Sequence, residues 1–151
     1  RLPMPVSPHL AAERAGVTID LRGLVPAQPD DTAAWIVEGA GGLLVPVNET
    51  ETMAVTITLL GLPVLIVARS GLGTINHTLL TLEALRARSL PVAGVVMVGE
   101  PNPDNREAIE KYGDTRVIGE MPVLSPLDCA ALAAWSTAHL DPGGLLLEFL
   151  R

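Results

Sequence analysis

An acidic residue followed by residues with almost no side chains is the first feature that could do chemistry. The apolar segment 33–37 is followed by Glu38, and then by Gly39, Ala40, Gly41 and Gly42. Parallel sheets bind ligands beyond the carboxyl ends of their strands, where Glu38 would lie. Mg²⁺ takes one or two carboxylates together with substrate phosphates, and glycines let backbone N–H groups approach a phosphate. The segment predicts a magnesium and phosphate site; the alternative is a tight turn with Glu38 in water.

A second candidate site is the segment 70–77, in which glycines precede a helical pattern. Gly71 and Gly73 come just before Thr74, which would open the helix. The first N–H groups of a helix lack intrahelical partners and lie at the positive end of its dipole, so they can bind an anion. The alternative is an ordinary helix capped by Thr74. His77 lies in the same turn, and the three histidines do not group into a metal site.

The elements that would position these segments alternate along the chain. We predict strands at 33–39, 62–68, 91–99 and 115–122, and helices at 7–16, 48–61, 74–89, 106–113 and 124–140, with the tail 141–151 as either. The runs 62–68 and 91–99 are continuously apolar, which is typical of fully buried strands. Ser7 would cap the first helix, and Ser125 with Pro126 would open the last. The alternation predicts an α/β protein whose parallel sheet carries helices on both faces.

The composition narrows the classes of function. The 151 residues suit one domain, and the net charge of −7 argues against a nucleic-acid groove or an anionic membrane surface as partner. No apolar run reaches the ~18 residues that a membrane span needs. Cys129 is the single cysteine, so we expect no internal disulfide and a plain buried thiol in an apolar helix. A reducing cytosol fits this usage.

Two further features bear on nucleotide binding. The segment 99–105 follows a predicted strand and could cup a base, but its polarity and prolines favour a simple loop. The sequence contains no G-x-x-x-x-G-K-[ST] phosphate loop, and its one lysine, Lys111, lies in a pattern typical of a solvated helix face.

Four segments, in this order and at these spacings, resemble the dethiobiotin synthetase family. They are SPHLAAERAG, VEGAGGLLVPV, VLIVARSGLGTINHTLLTLEALR and GVVMVGEPNPDN, and the resemblance covers residues 5–135. It implies a P-loop NTPase-like fold and a cytoplasmic, homodimeric ligase of biotin biosynthesis. In that family, 7,8-diaminopelargonate takes up carbon dioxide as a carbamate, which attacks the γ-phosphate of MgATP. The second amine then displaces phosphate and closes a ureido ring.

The resemblance also implies roles for individual residues. Glu38 matches the magnesium-binding glutamate of the family. The nucleotide would be bordered by Glu38, Gly39, Ala40, Gly41, Gly99, Glu100, Met121, Pro122 and Val123, of which the last three lie beside the adenine. The substrate would be held by Ser7 and Pro8 near its amines, and by Leu72, Gly73, Thr74, Ile75 and Asn76 at its carboxylate. In the family this carboxylate site comes from the neighbouring subunit.

The sequence departs from the family in two places. Val98 stands where an adenine-reading asparagine is usual, which leaves the nucleotide preference open. The first strand with its P-loop, the catalytic lysine and an aspartate that shares the magnesium would all lie before Arg1. We therefore expect this chain, the carboxyl-terminal two thirds of such a domain, to be poorly stable or inactive alone, unless it is an excerpt of a longer protein, which is the interpretation we favour. The alternatives are an ATP-dependent enzyme similar to the cobyrinate amidases and a non-catalytic binding module.

Overall fold

The computed structural model describes residues 1–24 and 35–149. The chain divides into two compact units, Arg1–Leu62 and Pro63–Arg151, and each is described by itself. The single domain predicted for 1–151 stays a prediction. Within the described ranges, no helix is both long enough and apolar enough to cross a membrane.

The first unit contains helix α1 (Pro8–Arg14), a short 3-10 helix (Arg22–Leu24) and helix α2 (Met53–Leu60). Its buried apolar side chains are Ala11, Ala12, Leu21, Val47 and Ala54. Helix α2 begins five residues later than predicted from 48–61, because Asn48 Oδ1 accepts hydrogen bonds from the N–H groups of Thr50 and Glu51 and holds them in a turn. Gly61 ends α2 in the left-handed conformation.

The strand predicted at 33–39 is wrong for the part that can be examined. Residues 35–39 adopt no strand, whereas 33 and 34 lie outside the described residues. A strand exists only while a neighbour accepts and donates its backbone hydrogen bonds. No backbone hydrogen bond in the described part of the chain joins 35–39 to another segment, and Ile36 is 95% exposed.

The second unit is built on a parallel sheet with strand order β1–β2–β3. The strands are β1 (Val64–Arg69), β2 (Val92–Val98) and β3 (Val117–Met121). The helices are α3 (Thr74–Arg86), α4 (Pro103–Gly113), α5 (Cys129–His139) and α6 (Leu145–Phe149). The sheet and its helices confirm the predicted α/β class.

Helices lie on both faces of this sheet, as predicted. On one face, Val95 and Met97 of β2 form a core cluster with Ile109 of α4, against which Ile75 of α3 packs. Val96 points to the opposite face, and its register partner in β3 is Gly119. A Cβ on Gly119 would lie 3.3 Å from the Trp135 ring of α5, so α5 covers that face. The indole N–H of Trp135 donates to the Glu120 carbonyl at 3.2 Å.

The two apolar strands differ in burial, and only one matches its prediction. Every interior residue of β2 is buried, because β2 has a strand on each side. Strand β1 was expected to be buried throughout, but its residues alternate between half-buried and exposed. In the described sheet β1 pairs with β2 alone, and Val67 on its outer face is 69% exposed.

Two further predicted helix starts are corrected. Helix α4 begins at Pro103, inside the segment predicted to be a loop, with Asn102 as N-cap. Helix α5 begins at Cys129, because Asp128 rather than Ser125 caps it and accepts from the Ala131 N–H at 2.8 Å. Cys129 is exposed, so the buried thiol was wrong; α5 covers the face of the sheet at β3, and none of its residues is buried. Ser7 precedes α1 as predicted, but its side chain makes no capping bond.

We predict that Val95→Ala lowers the free energy of unfolding by about 2–3 kcal/mol. The side chain is fully buried, so two methyl groups at ~0.8 kcal/mol each are lost and a cavity forms. Val67→Ala on the neighbouring strand is the matched control, and we expect a change within about 0.5 kcal/mol because Val67 is exposed. Urea denaturation followed by circular dichroism measures both. Equal losses would contradict the assignment of β1 as an uncovered edge.

Candidate functional site

The carboxyl ends of the three strands meet at one edge of the second unit. The Ser70 N–H, just after β1, donates to the Val98 carbonyl at 3.0 Å, and the Gly99 N–H, just after β2, donates to the Met121 carbonyl at 2.9 Å. This edge therefore brings together the predicted site segments 72–76, 99–100 and 121–123. It is the place where parallel sheets bind ligands.

The ends of β1 and β2 approach so closely that a side chain is excluded between them. A Cβ on Gly99 would collide with the hydroxyl oxygen of Ser70, and the φ of Gly99 is +130°, a conformation that other residues rarely adopt. Ser70 is itself buried. Gly99 is therefore required by the geometry of this junction.

The N-terminus of α3 presents free amide groups. Gly73 is the N-cap, in the left-handed conformation with φ +90°, and no side chain caps the helix. The Thr74 N–H bonds the Gly71 carbonyl at 3.2 Å, but the N–H groups of Ile75 and Asn76 find no backbone acceptor in the residues that the structure describes. Thr74 is inside the helix, so the alternative of Thr74 as N-cap was wrong. This end of α3 can bind an anion.

A cavity of about 200 Å³ lies between β1 and the first turns of α3. Its lining includes Arg69, Thr74 and His77. Thr74 is 5% exposed, and its hydroxyl has no hydrogen-bond partner among the described atoms. A buried hydroxyl without a partner costs about 1–3 kcal/mol. An arginine, an unpaired hydroxyl and a helix N-terminus together favour a negatively charged ligand.

In the first unit, Glu38 lies exposed beside a turn that is tied to α2. The N–H groups of Met53 and Ala54 donate to the carbonyls of Val45 and Leu43, each at 2.9 Å. The turn is tight at Gly41, where φ is +83° and a Cβ would lie 2.8 Å from Val45 Cγ2. Glu38 is thus placed next to a turn in which the only side chain before Leu43 is the methyl group of Ala40.

The donor set at this turn is compatible with Mg²⁺ but does not form a complete metal cage. No cluster of three or more His, Cys, Asp or Glu residues that could hold a metal occurs in the described ranges. Mg²⁺ retains several waters and takes one or two protein carboxylates together with substrate phosphates. A single exposed glutamate at a turn of small residues fits that mode of binding.

Ser7 and Pro8 lie at the start of α1, in the first unit. Pro8 occupies the first turn, and Ser7 makes no side-chain capping bond. The His9 N–H bonds the Pro46 carbonyl at 3.4 Å, which joins this end of α1 to the segment after the glycine turn. The structure thus groups these two predicted residues with the chain segment that follows Glu38.

Sequence reasoning missed Asn105, which links α4 to the end of β1. Its side-chain Nδ2 donates to the Ser70 carbonyl at 2.8 Å. The sequence did carry a signal for the start of this helix, since an asparagine before a proline is a common N-cap arrangement. Asn102 and Pro103 have that arrangement, and Asn102 Oδ1 accepts from the Asn105 N–H at 3.0 Å.

Comparison with known proteins identifies the family. A family model described as an AAA domain matches residues 1–131. The chain is 52% identical over 132 residues to the ATP-dependent dethiobiotin synthetase BioD of Paramagnetospirillum magneticum, which covers 87% of this chain and 63% of that protein. It is 50% identical over 135 residues to the biotin biosynthesis bifunctional protein BioCD of Bordetella avium, covering 89% of this chain and 29% of that one.

A third relative matches along the whole chain. The BioD protein of Agrobacterium fabrum is 46% identical over 151 residues, which is 100% of this chain and 68% of the relative. The chain thus spans less than two thirds of the first two relatives and slightly more than two thirds of the third. On these matches, the chain belongs to the AAA-domain family and, within it, to the dethiobiotin synthetases.

Proposed function

We propose that this chain is part of an ATP-dependent ligase that closes the ureido ring of dethiobiotin from 7,8-diaminopelargonate and carbon dioxide. The observation that carries the proposal is the 52% identity to a dethiobiotin synthetase, together with the family match over 1–131. That range includes both the Glu38 turn and the free N-terminus of α3. The enzyme would act in biotin biosynthesis in the cytoplasm, using residues supplied by the rest of the protein.

The N-terminus of α3 is proposed to receive the carboxylate of the diamine. The contacts would come from the segment Leu72, Gly73, Thr74, Ile75 and Asn76, as the family resemblance implies. The free amides of Ile75 and Asn76 support this role, because each can donate to a carboxylate oxygen without breaking a helical bond. We further propose a homodimer, in which this end of α3 serves the site of the neighbouring subunit while Ser7 and Pro8 lie near the amines.

Each unit is proposed to carry a segment that contacts the nucleotide, as the family resemblance implies. Glu38, Gly39, Ala40 and Gly41 would border its phosphates, and Gly99, Glu100, Met121, Pro122 and Val123 its base. Glu38 would hold Mg²⁺, which when bound neutralises phosphate charge during phosphoryl transfer. Positioning of the reactants is the main catalytic effect available in such transfers, and each unit would contribute ligand-holding residues to it.

The direct test is formation of dethiobiotin, followed by mass spectrometry. The inputs are diaminopelargonate, bicarbonate and MgATP, supplied to this chain and to a polypeptide extended upstream to the full length of the relatives. We expect product from the longer polypeptide only, because phosphate-binding and catalytic groups of the family are not found in this chain. The absence of product from both, when both are folded, would contradict the proposed function.

Replacement of Glu38 by glutamine tests the magnesium role. We expect kcat/KM of the full-length enzyme to fall by about 100-fold or more, since even residues that only support a metal ligand change activity by about 10–100-fold. A higher Mg²⁺ concentration should recover part of the rate. Glu49→Gln is the matched control, because Glu49 is an exposed carboxylate of the same unit. Similar losses in both variants, or no dependence on Mg²⁺, would argue against Glu38 as a ligand.

Replacement of Gly73 by alanine tests the carboxylate site. The left-handed conformation costs a residue with a Cβ about 1–2 kcal/mol, so the first turn of α3 should shift. We expect the KM for diaminopelargonate to rise by about tenfold, and the KM for ATP to change by less than about twofold. Gly71→Ala is the matched control, since a Cβ there has no neighbour within 4 Å and Gly71 lacks a positive φ. Steady-state kinetics, with each substrate varied in turn, measures both KM values in the two variants.

A further inference from the structure

The segment 71–73, which leads from β1 into α3, has almost no side chains to hold it in place. A Cβ on Gly71 would have no neighbour within 4 Å, Leu72 is fully exposed, and Gly73 has φ +90°. Glycine loses more conformational freedom on ordering than any other residue. The amides of Ile75 and Asn76 are held by α3 itself, whose Thr74 is buried, whereas the path of 71–73 depends on the last fixed point before this segment, which is Ser70.

Two backbone groups of Ser70 are held from different directions. Its N–H donates to the Val98 carbonyl of the neighbouring strand at 3.0 Å. Its carbonyl accepts from Asn105 Nδ2 at 2.8 Å, although the two residues are 35 positions apart in the sequence. The first bond is the regular continuation of the β1–β2 pairing, whereas the second comes from a side chain.

The side chain of Asn105 is itself held in place by α4. The Asn105 N–H donates to Asn102 Oδ1 at 3.0 Å, so the residue lies in a capped first turn. It is half-buried, and α4 packs against α3 and the sheet through the buried Ile109. A side chain placed by a capped and packed helix loses little further entropy when it bonds the Ser70 carbonyl. Asn105 thus fixes the start of the glycine segment from a rigid support.

We propose that Asn105 is a positioning residue for the substrate carboxylate. It would act through Ser70 by fixing where the segment 71–73 begins, and it would itself contact neither substrate nor nucleotide. The inference rests on the proposed function of the α3 N-terminus. Its physical basis is that small displacements of positioning groups weaken binding or rate even when they lie away from the reacting atoms.

The kinetic test uses Asn105→Asp in the full-length enzyme. Aspartate has nearly the same shape but cannot donate to a carbonyl when ionised. We expect the KM for diaminopelargonate to rise by about fivefold to tenfold, with kcat and the KM for ATP changed by less than about twofold. The effect should vanish with 7,8-diaminononane, which has the two amines but no carboxylate. An equal loss with both diamines would overturn the proposal.

The matched control is Asp104→Ala, which removes the exposed acidic side chain in the first turn of the same helix. An acidic residue near a helix N-terminus stabilises the helix, so this variant reports what a weaker α4 does by itself. We expect its KM for diaminopelargonate to stay within about twofold of the natural enzyme. A rise as large as that of Asn105→Asp would show that Asn105 matters only through the stability of α4, and would overturn the proposal.

A binding measurement separates this inference from the proposed function. Pelargonate, a nine-carbon carboxylate without amines, is titrated into ¹⁵N-labelled full-length protein, and the amide signals of Ile75 and Asn76 are followed. We expect these signals to shift, with about fivefold to tenfold weaker binding in Asn105→Asp. If the protein makes no dethiobiotin but shows this pattern, the proposed function fails and the positioning role stands. Unshifted signals, or equal affinity in the variant, would overturn the positioning role.

Discussion

The pairing of β2 with a parallel strand on each side is the constraint on which the second unit depends. It buries Val95 and Met97, and it places the carboxyl ends of the three strands at a single edge. Parallel strands make this arrangement unavoidable, because their chains all leave the sheet in the same direction. The segments that follow β1, β2 and β3 are far apart in sequence and become neighbours for this reason alone. The pairing of the strands therefore decides where a site at this edge lies.

The geometry of this edge requires glycine at two positions, and one asparagine fixes the chain beside them. Ser70 and Gly99 approach too closely for a Cβ, and Gly73 adopts a conformation that other residues avoid. Glycines permit both geometries but leave the chain loose. The bond from Asn105 to the Ser70 carbonyl supplies a fixed point just before the loose segment. The glycines thus leave space for a ligand, whereas Asn105 fixes the chain just before the glycine segment.

The sequence was most informative where local pattern decides the structure. Strand β2 and helix α3 were predicted within a few residues, because a continuous apolar run and a helical period are each visible in a short window. Residues 35–39 were predicted as a strand and are not one, since pairing is a property of the neighbour and not of the segment. The outer face of β1 was misjudged for the same reason. The burial of a strand is decided by the elements that lie beside it in the fold.

The residues of the candidate site also divide into those that a local pattern predicts and those that only the fold brings together. The free amides of α3 could be expected from two glycines before a helical pattern, a local signal. Asn105 could not, because its bond joins residues 35 positions apart and only the fold brings them together. Glu38 was located by its place between an apolar segment and small residues, which predicts a magnesium site, and the family resemblance implies the same role. Glu38 belongs to the first unit, and the α3 amides belong to the second.

The two proposed ligand sites therefore differ in what determines their geometry. The α3 site is held by contacts inside one compact unit, namely the packing of α3 and the bonds from β2 and Asn105 to Ser70. Glu38 lies in a turn tied to α2, at the end of an apolar segment, 35–37, whose backbone is unpaired in the described structure. The exposed apolar side chains of this segment are unfavourable in water, and its unpaired backbone groups can pair with another strand, which would cover them. The position of the carboxylate site is thus intrinsic to its unit, whereas that of Glu38 depends on whatever pairs with 35–37.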